Sequence, residues 1–316
     1  MPPRKTSWPP PYAVRNSRSP LKALFRRDRL RFLAVILLGC IGIIYLLGHL
    51  FSSDSSEVIP AGTPLVVIVT VINESWDPAF VEKIKKNRRD YAARHGYTTF
   101  FPSTTDYNLK NSPLSWSKVP AMRHAITLYP SSTYFWYLDP TALIMNHSLS
   151  LTGHIVDKEH LESLMIVNKP VVPPDSVIKT FDHIKGDRID LVVAQDRDGL
   201  CQSSFIIRRG EWAKYFLDAW FDPLYRSYNF QKAEGHALEH IVQWHGTILA
   251  KLALIPQRTF NSYTHNPLGT DIAGMYSEGD FVANFIGCDR DGRSCVDEMQ
   301  PFFDLLEGKG PGKSDD

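Results

Sequence analysis

Residues 65–71 read Leu65-Val66-Val67-Ile68-Val69-Thr70-Val71, apolar and β-branched almost throughout. A strand exposed on one face alternates apolar and polar residues, whereas one covered on both faces does not. This run therefore predicts a central strand with helices packed on each side. After a turn at 73–78, residues 80–95 have a helical composition that stops at Gly96, and 97–101 read as a second strand. A strand–helix–strand opening predicts an α/β domain with a doubly wound sheet.

Further along, Pro120 suits the first turn of a helix that covers 121–128. Residues 134–138 (Tyr134-Phe135-Trp136-Tyr137-Leu138) predict an aromatic strand, followed by Asp139-Pro140-Thr141. Residues 142–145 continue as a short apolar piece, and 161–167, 191–194 and 204–207 read as further strands. Residues 211–220 are amphipathic and stop before Pro223. Residues 233–252 form the longest helical stretch, with Glu234, Leu238, Ile241, His245, Ile248 and Leu252 as its inner stripe and Gly246 as an interruption.

On the N-terminal side, residues 32–51 carry no Asp, Glu, Lys or Arg. About 20 apolar residues in helical form span a bilayer core. The preceding flank is rich in Arg and Lys, with Asp28 as its acid, and the following flank holds Asp54 and Glu57. Basic residues stay cytosolic, so the reading is a cytosolic disordered basic tail (1–31), a transmembrane signal-anchor (32–51), a stem (52–64), a lumenal domain (65–307) and a disordered tail (308–316). A cleaved signal peptide fits less well, because its apolar region is shorter and nearer the start. The sequons Asn73-Glu74-Ser75 and Asn146-His147-Ser148 are glycosylation candidates that agree with a lumenal domain. Cys288 and Cys295 lie close together and could bridge in an oxidising lumen; Cys40 falls in the apolar run and Cys201 would stay unpaired. The formal net charge is +1 and the basic excess sits in the tail, so no nucleic-acid partner is expected.

In open α/β sheets ligands bind at the carboxyl ends of the strands. Asp139 stands at such an end, where a carboxylate can hold a divalent cation that neutralises a diphosphate; a turn-forming Asp before Pro140 explains it equally well. Lys118 precedes a helix start, against the helix dipole, which makes sense if a phosphate lies between them; a solvated lysine is the plainer reading. His236 and His240 are one turn apart, but the H-E-x-x-H pattern is absent, so they read as surface or packed histidines. The 196–198 and 289–291 acidic loops read as turns that could touch a metal or sugar hydroxyls. No P-loop, G-x-S-x-G or G-x-G-x-x-G occurs, which removes the commonest NTPase, hydrolase and dinucleotide readings.

Several words along the chain are more specific: Asn87-Arg88-Arg89-Asp90-Tyr91-Ala92, Trp116-Ser117-Lys118-Val119-Pro120, Trp136-Tyr137-Leu138-Asp139, Phe205-Ile206-Ile207-Arg208, Ile241-Val242-Gln243-Trp244-His245, Pro256-Gln257-Arg258 and Gly279-Asp280-Phe281. In this order they resemble the fungal Golgi galactosyltransferase and mannosyltransferase family, glycosyltransferase family 34, and within it the α-1,6-mannosyltransferase subunits of the mannan polymerase complex. The resemblance implies a type II Golgi membrane protein with a GT-A fold. It implies retaining hexosyl transfer from a nucleotide sugar, GDP-mannose or alternatively UDP-galactose, to a glycan acceptor on a glycoprotein, usually with Mn²⁺, beside other mannosyltransferase subunits.

Carried over by position, Lys118 contacts the donor diphosphate, Asp139 is the first acid of D-x-D, and Glu234 is the acid on the long helix. Thr141, Ser204 and Arg293 join the donor-binding set, and Asp139 and Asn284 stand at the metal positions. The chain departs from the pattern at four places. Thr141 replaces the second acid, Asn284 replaces the histidine of H-F-x-G-C, and Gly235 replaces the glutamine after the helix acid. The loop G-L-N-A-G-S-F reads Gly199-Leu200-Cys201-Gln202-Ser203-Ser204-Phe205. Losing a carboxylate and an imidazole predicts weak metal binding, so a silent structural subunit stands beside the working enzyme as an expectation.

Overall fold

The structure, a computed structural model, describes residues 27–51, 60–172, 176–196, 199–228, 230–265 and 273–309. The chain divides into two units, Met1–Val58 and Ile59–Asp316. In the first, α1 (Arg27–Phe51) is a helix whose described side chains over 31–46 are all exposed. Among the described residues no helix is long and apolar enough to cross a membrane. Residues 1–26 of the expected tail and 52–59 of the expected stem lie outside the described residues. At the other end of the stem the Pro64 carbonyl accepts from Ser132 Oγ at 2.7 Å.

The second unit runs β1 (Val66–Val69), α2 (Pro78–His95), β2 (Thr98–Phe100), α3 (Lys118–Leu128), β3 (Tyr134–Leu138), β4 (Ala142–Ile144), α4 (Lys158–Leu164), β5 (Leu191–Asp196), β6 (Gly199–Arg208), α5 (Glu211–Trp220), α6 (Pro223–Ser227), α7 (Glu234–Trp244), α8 (Gly246–Leu249), β7 (Leu252–Pro256), β8 (Ser262–Tyr263), β9 (Val282–Asn284) and α9 (Cys295–Leu306). The main sheet has the order β2-β1-β3-β6-β5-β7, and a small sheet has the order β4-β9-β8. Strands β1, β2 and β3 are mutually parallel and β5 is parallel to β7, while β6 runs antiparallel to β3 and β5. The expected α/β class holds, with a mixed rather than all-parallel sheet.

The continuous apolar runs have the cause the sequence suggests, because both faces of the sheet are covered. Val67, Val69, Phe135, Tyr137, Phe205 and Ile207 pack with side chains of α3, α5 and α7. Their neighbours Val66, Ile68, Trp136, Leu138 and Ile206 pack on the other face with Tyr91 and Ala92 of α2 and with Phe281. Helix α2 starts at an Asp77 N-cap and ends on Gly96 at φ 66°, the left-handed conformation its glycine was read for.

Three expectations are corrected. Residues 161–164 belong to α4, not to a strand, because the Asp157 carboxylate caps a helix start by accepting from His160 N. The stretch 233–252 is not one helix: it breaks at His245, whose backbone is extended (φ −116°, ψ 95°), and Leu252 opens the edge strand β7. Helix α3 begins at Lys118, three residues before the expected start.

Candidate active site

Lys118 opens α3 directly after a 3-10 turn over Leu114–Ser117, and Glu234 opens α7. Their side chains meet: Lys118 Nζ lies 2.8 Å from Glu234 Oε1, with both side chains more than nine-tenths buried. Ser115 Oγ donates to the other carboxylate oxygen at 2.6 Å, and Trp220 Nε1 donates to the Glu234 carbonyl at 2.9 Å. The reading of Lys118 as a solvated side chain is thereby overturned. Burial alone would push the Lys118 ammonium down, but the Glu234 and Asp139 carboxylates outweigh it and hold it above its ordinary value. Burial alone would push the Glu234 carboxyl up, but Lys118 and then Ser115 hold it below its ordinary value. A carboxylate at a helix N-terminus is also favoured by the dipole.

Ala233, just before Glu234, sits at φ 43° and ψ −115°. A non-glycine residue there carries about 1–3 kcal/mol of strain, of the kind that gathers at functional sites. The turn brings Glu234 back into the protein against Lys118.

Asp139 caps the end of β3. Its Oδ1 accepts from Thr141 N at 3.1 Å and Thr141 Oγ1 at 2.8 Å, and Tyr137 OH reaches Oδ2 at 3.4 Å. The Tyr137 ring lies under Lys118 Nζ at 5.5 Å, so the tyrosine links the aspartate to the ion pair. Burial and then Asp139 push the Tyr137 hydroxyl well above its ordinary pKa. Below the turn, Arg88 is fully buried and donates to the Asp139 and Ala142 carbonyls. Burial lowers its guanidinium to about 9, against the pull of Asp139. Asn87 beside it clamps Ile144 through both its backbone N–H and its carbonyl.

On the other flank, Ser203 ties β6 to β3 and β9. Its carbonyl accepts from Asp139 N at 2.8 Å, and its hydroxyl accepts from Asn284 Nδ2 at 2.7 Å. Asn284 also donates to Asn261 Oδ1 at 2.7 Å, and Asn261 donates to Cys201 Sγ. Cys201 and Tyr263 OH are 3.1 Å apart, and Tyr263 donates to Asp196. Burial pushes the Cys201 thiol up, so this network holds it as a neutral group.

Lys118, Asp139, Thr141, Glu234 and Asn284 thus gather at the ends of β3 and β9, beside the middle of β6. Two residues from the sequence set stand elsewhere. Ser204 is fully buried and its hydroxyl accepts from Trp136 Nε1 at 2.9 Å. Arg293 is bound to Glu298 and to the Ile286 carbonyl in the loop after β9. That loop holds the Cys288–Cys295 disulfide, as its spacing allowed. Asn73 and Asn146 each accept from the serine of their own sequon, while Asn146 Nδ2 donates to the Gly279 carbonyl. His236 and His240 pack edge-on against Phe230 and Tyr225. In the 196–198 loop, Arg197 and Asp198 lie outside the described residues. Arg88, Asn87, Tyr137 and Ser115 were missed as site residues. The first three lay inside the quoted sequence words; Asn87 and Arg88 act on backbone groups, and Tyr137 on the Lys118 ammonium, that only the fold brings near.

The donor set does not fit a dedicated Mn²⁺ site. Asn284 Oδ1 is buried and unpartnered, which a cation would satisfy. The other oxygen ligand is Asp139, whose carboxylate already accepts from Thr141 and Tyr137, and position 141 offers a hydroxyl where an acid would be needed. Among the described residues no group of three His, Cys, Asp or Glu could hold an ion. An open groove of about 440 Å³ is lined by Ala233, the residue before Glu234, and by Lys110, Trp116, Tyr225, Arg226 and Phe230 among others. That volume falls in the range of small-molecule sites.

The sequence model of the galactosyl transferase GMA12/MNN10 family matches residues 62–295. The chain is 30% identical over 233 residues to the protein named "Uncharacterized alpha-1,2-galactosyltransferase C8D2.17" of Schizosaccharomyces pombe, covering 71% of this chain and 70% of that one. It is 31% identical over 266 residues to "Probable alpha-1,6-mannosyltransferase MNN11" of Saccharomyces cerevisiae, covering 77% of this chain and 62% of the relative. The matched region thus spans between three-fifths and seven-tenths of these relatives' length. Among solved structures, a glycosyltransferase involved in the glycosylation of the major capsid of PBCV-1 superposes with a TM-score of 0.50 at 11% identity, over 78% of this chain and all of that one. At that identity the likeness shows the fold, a GT-A-type α/β domain.

Proposed function

Since the chain belongs to the galactosyl transferase GMA12/MNN10 family, we propose that it is a retaining hexosyltransferase, an α-1,6-mannosyltransferase that takes mannose from GDP-mannose to a glycan acceptor. The observation that carries this reading is the buried Lys118–Glu234 pair set beside Asp139 at the strand ends. In the reaction the bond from the anomeric carbon to the diphosphate oxygen breaks and a bond to an acceptor hydroxyl forms. The acceptor's proton leaves with the departing diphosphate. The ammonium of Lys118 favours the negative charge that builds on the leaving group, and Glu234 and Asp139 fix that ammonium in place. The groove between Lys110 and Phe230 seats the acceptor, with Tyr225 and Phe230 offering flat apolar faces to sugar rings and Arg226 and Lys110 offering donors at the edge.

The same reading places the domain in the Golgi lumen behind a membrane-spanning helix, as a subunit of a mannan polymerase complex. Its support is the apolar run 32–51, the exposure of Phe32, Val35, Leu38 and Ile44 on α1, and the basic flank before them.

The test is transfer by the detergent-solubilised full chain with GDP-mannose and with UDP-galactose, separately, on an α-1,6-mannose acceptor. Mannosyl transfer is expected. Galactosyl transfer alone would make it an α-1,2-galactosyltransferase, a reading favoured by the name of the fission-yeast relative. Thr141 and Asn284 in the metal positions favour a silent structural subunit, which predicts neither transfer nor nucleotide-sugar binding.

A further inference from the structure

Gln202 takes no part in the hydrogen bonds that build the site. It lies on β6 between Cys201 and Ser203, half-buried, and its carboxamide has no hydrogen-bond partner among the described residues. A carboxamide offers two donors and two acceptor lone pairs, all of them free here for a ligand.

Its position is set by a glycine. Gly235 is the second residue of α7, next to Glu234, and a Cβ there would stand 2.7 Å from Gln202 Nε2, 3.1 Å from Cδ and 3.2 Å from Oε1. The carboxamide therefore lies against the glycine's Cα, in space that any side chain at 235 would fill. Gly235 has a negative φ inside a helix, so no backbone conformation calls for glycine there. What glycine gains is room for the neighbouring amide. Gly235 follows Glu234, and the next residue along β6, Ser203, is bonded to Asp139 and Asn284, so Gln202 sits in the stretch of β6 that faces the end of β3 and its acid.

The geometry points to Gln202 as the residue that reads hydroxyl groups of the transferred hexose, held at the foot of α7 by the absence of a side chain at Gly235. The inference rests on the transferase reading. Vicinal sugar hydroxyls each donate and accept, and a carboxamide presents one donor edge and one acceptor edge side by side, so the two match in pairs. Gln202 is a substrate-binding residue on this view and holds no structural contact that its loss would break.

The experiment measures binding of GDP-mannose, UDP-galactose, GDP and UDP to the full chain in detergent by calorimetry, for wild type, Gln202→Ala, Gly235→Ala and the swap Gln202→Ala/Gly235→Gln. Wild type is expected to bind one sugar nucleotide more tightly than the matching free nucleotide. Gln202→Ala should lose about tenfold in sugar-nucleotide affinity, with free-nucleotide affinity and Tm unchanged. Gly235→Ala should lose a similar factor by displacing the amide, and the swap should recover part of it. Equal loss for sugar nucleotide and free nucleotide, a fall in Tm that accounts for the loss, or no change at all overturns the assignment. If wild type binds none of the four ligands, the transferase reading fails first, and the variant data are not needed to show it.

Discussion

At the scale of single residues, the buried Lys118–Glu234 pair carries the clearest consequences. A buried pair gains little over a matched apolar pair, but losing one partner leaves an uncompensated charge. Glu234→Gln and Lys118→Met are each expected to cost about 3 kcal/mol, a fall of roughly 6–12 °C in Tm for a domain of this size. The pH dependence follows from the two shifts. Glu234 is depressed, so its contribution is present above the ordinary carboxyl value of 4.5 and disappears as pH falls through its lower folded value. Lys118 is raised, so its contribution is complete below 10.5 and disappears as pH climbs past its higher folded value. The pair should therefore add no slope to stability between roughly pH 5.5 and 9.5, and Glu234→Gln should flatten the acid limb of a Tm-against-pH curve. Asp139→Ala is expected to lower transfer by more than about a hundredfold while costing only about 1 kcal/mol of stability, from the lost Thr141 bonds. Undiminished transfer by that variant would falsify the placement of chemistry at this strand end. Asp139 was legible in the sequence because an acid after an apolar strand falls where α/β folds bind ligands. Lys118 was legible only as an oddity, a cation against a helix dipole. Its partner lies 116 positions away (234 − 118) on another helix, a distance that no local pattern reports.

Among the elements, what could be read was whatever follows from local periodicity. Strands β1 and β3 announced themselves because both their faces are covered, and α2 because its cap and its left-handed glycine are both local signals. Strand β7 was hidden, because Ile248 and Leu252 keep helical spacing across a break that depends on the extended backbone at His245. Strand β9 has three residues and is fixed by pairing with β4 rather than by its own composition. The Cys288–Cys295 bridge was legible from spacing alone. It ties the loop after β9 to the first residue of α9, and the loop it closes is short, with a separation of seven residues. Chain-entropy arguments give such a loop about 2.5 kcal/mol. The Cys288→Ser/Cys295→Ser variant should lose roughly that much in a denaturant melt. Because β9 presents Asn284, the same variant should weaken nucleotide-sugar binding more than the stability change alone explains. Equal melts for the oxidised and reduced protein would show that the bridge leaves the fold unconstrained.

For the whole molecule, the division into Met1–Val58 and Ile59–Asp316 separates two kinds of surface. The second unit buries its apolar residues in three clusters around its two sheets, whereas on α1 the described large apolar residues are exposed, Phe32, Val35 and Leu38 by about two-thirds. A row of apolar side chains left in water would be costly, at about 25 cal/mol for each Å², so α1 needs a covering that the described contacts of the chain do not provide. The apolar run 32–51 and the basic flank before it make lipid the covering we propose, with the basic end on the cytosolic side. Deleting residues 1–58 should therefore leave the cooperative melt of the second unit within roughly 2 °C of the full chain, since a change below about 0.5 kcal/mol shifts a domain of this size no further. The full chain should remain in the membrane pellet after alkaline carbonate, while the deletion variant should stay in the supernatant. In sealed microsomes an N-terminal tag should be removed by added protease while a C-terminal tag is protected. A protected N-terminal tag would reverse the orientation. Release of the full chain by carbonate would mean that α1 is covered by another protein surface and not by the bilayer.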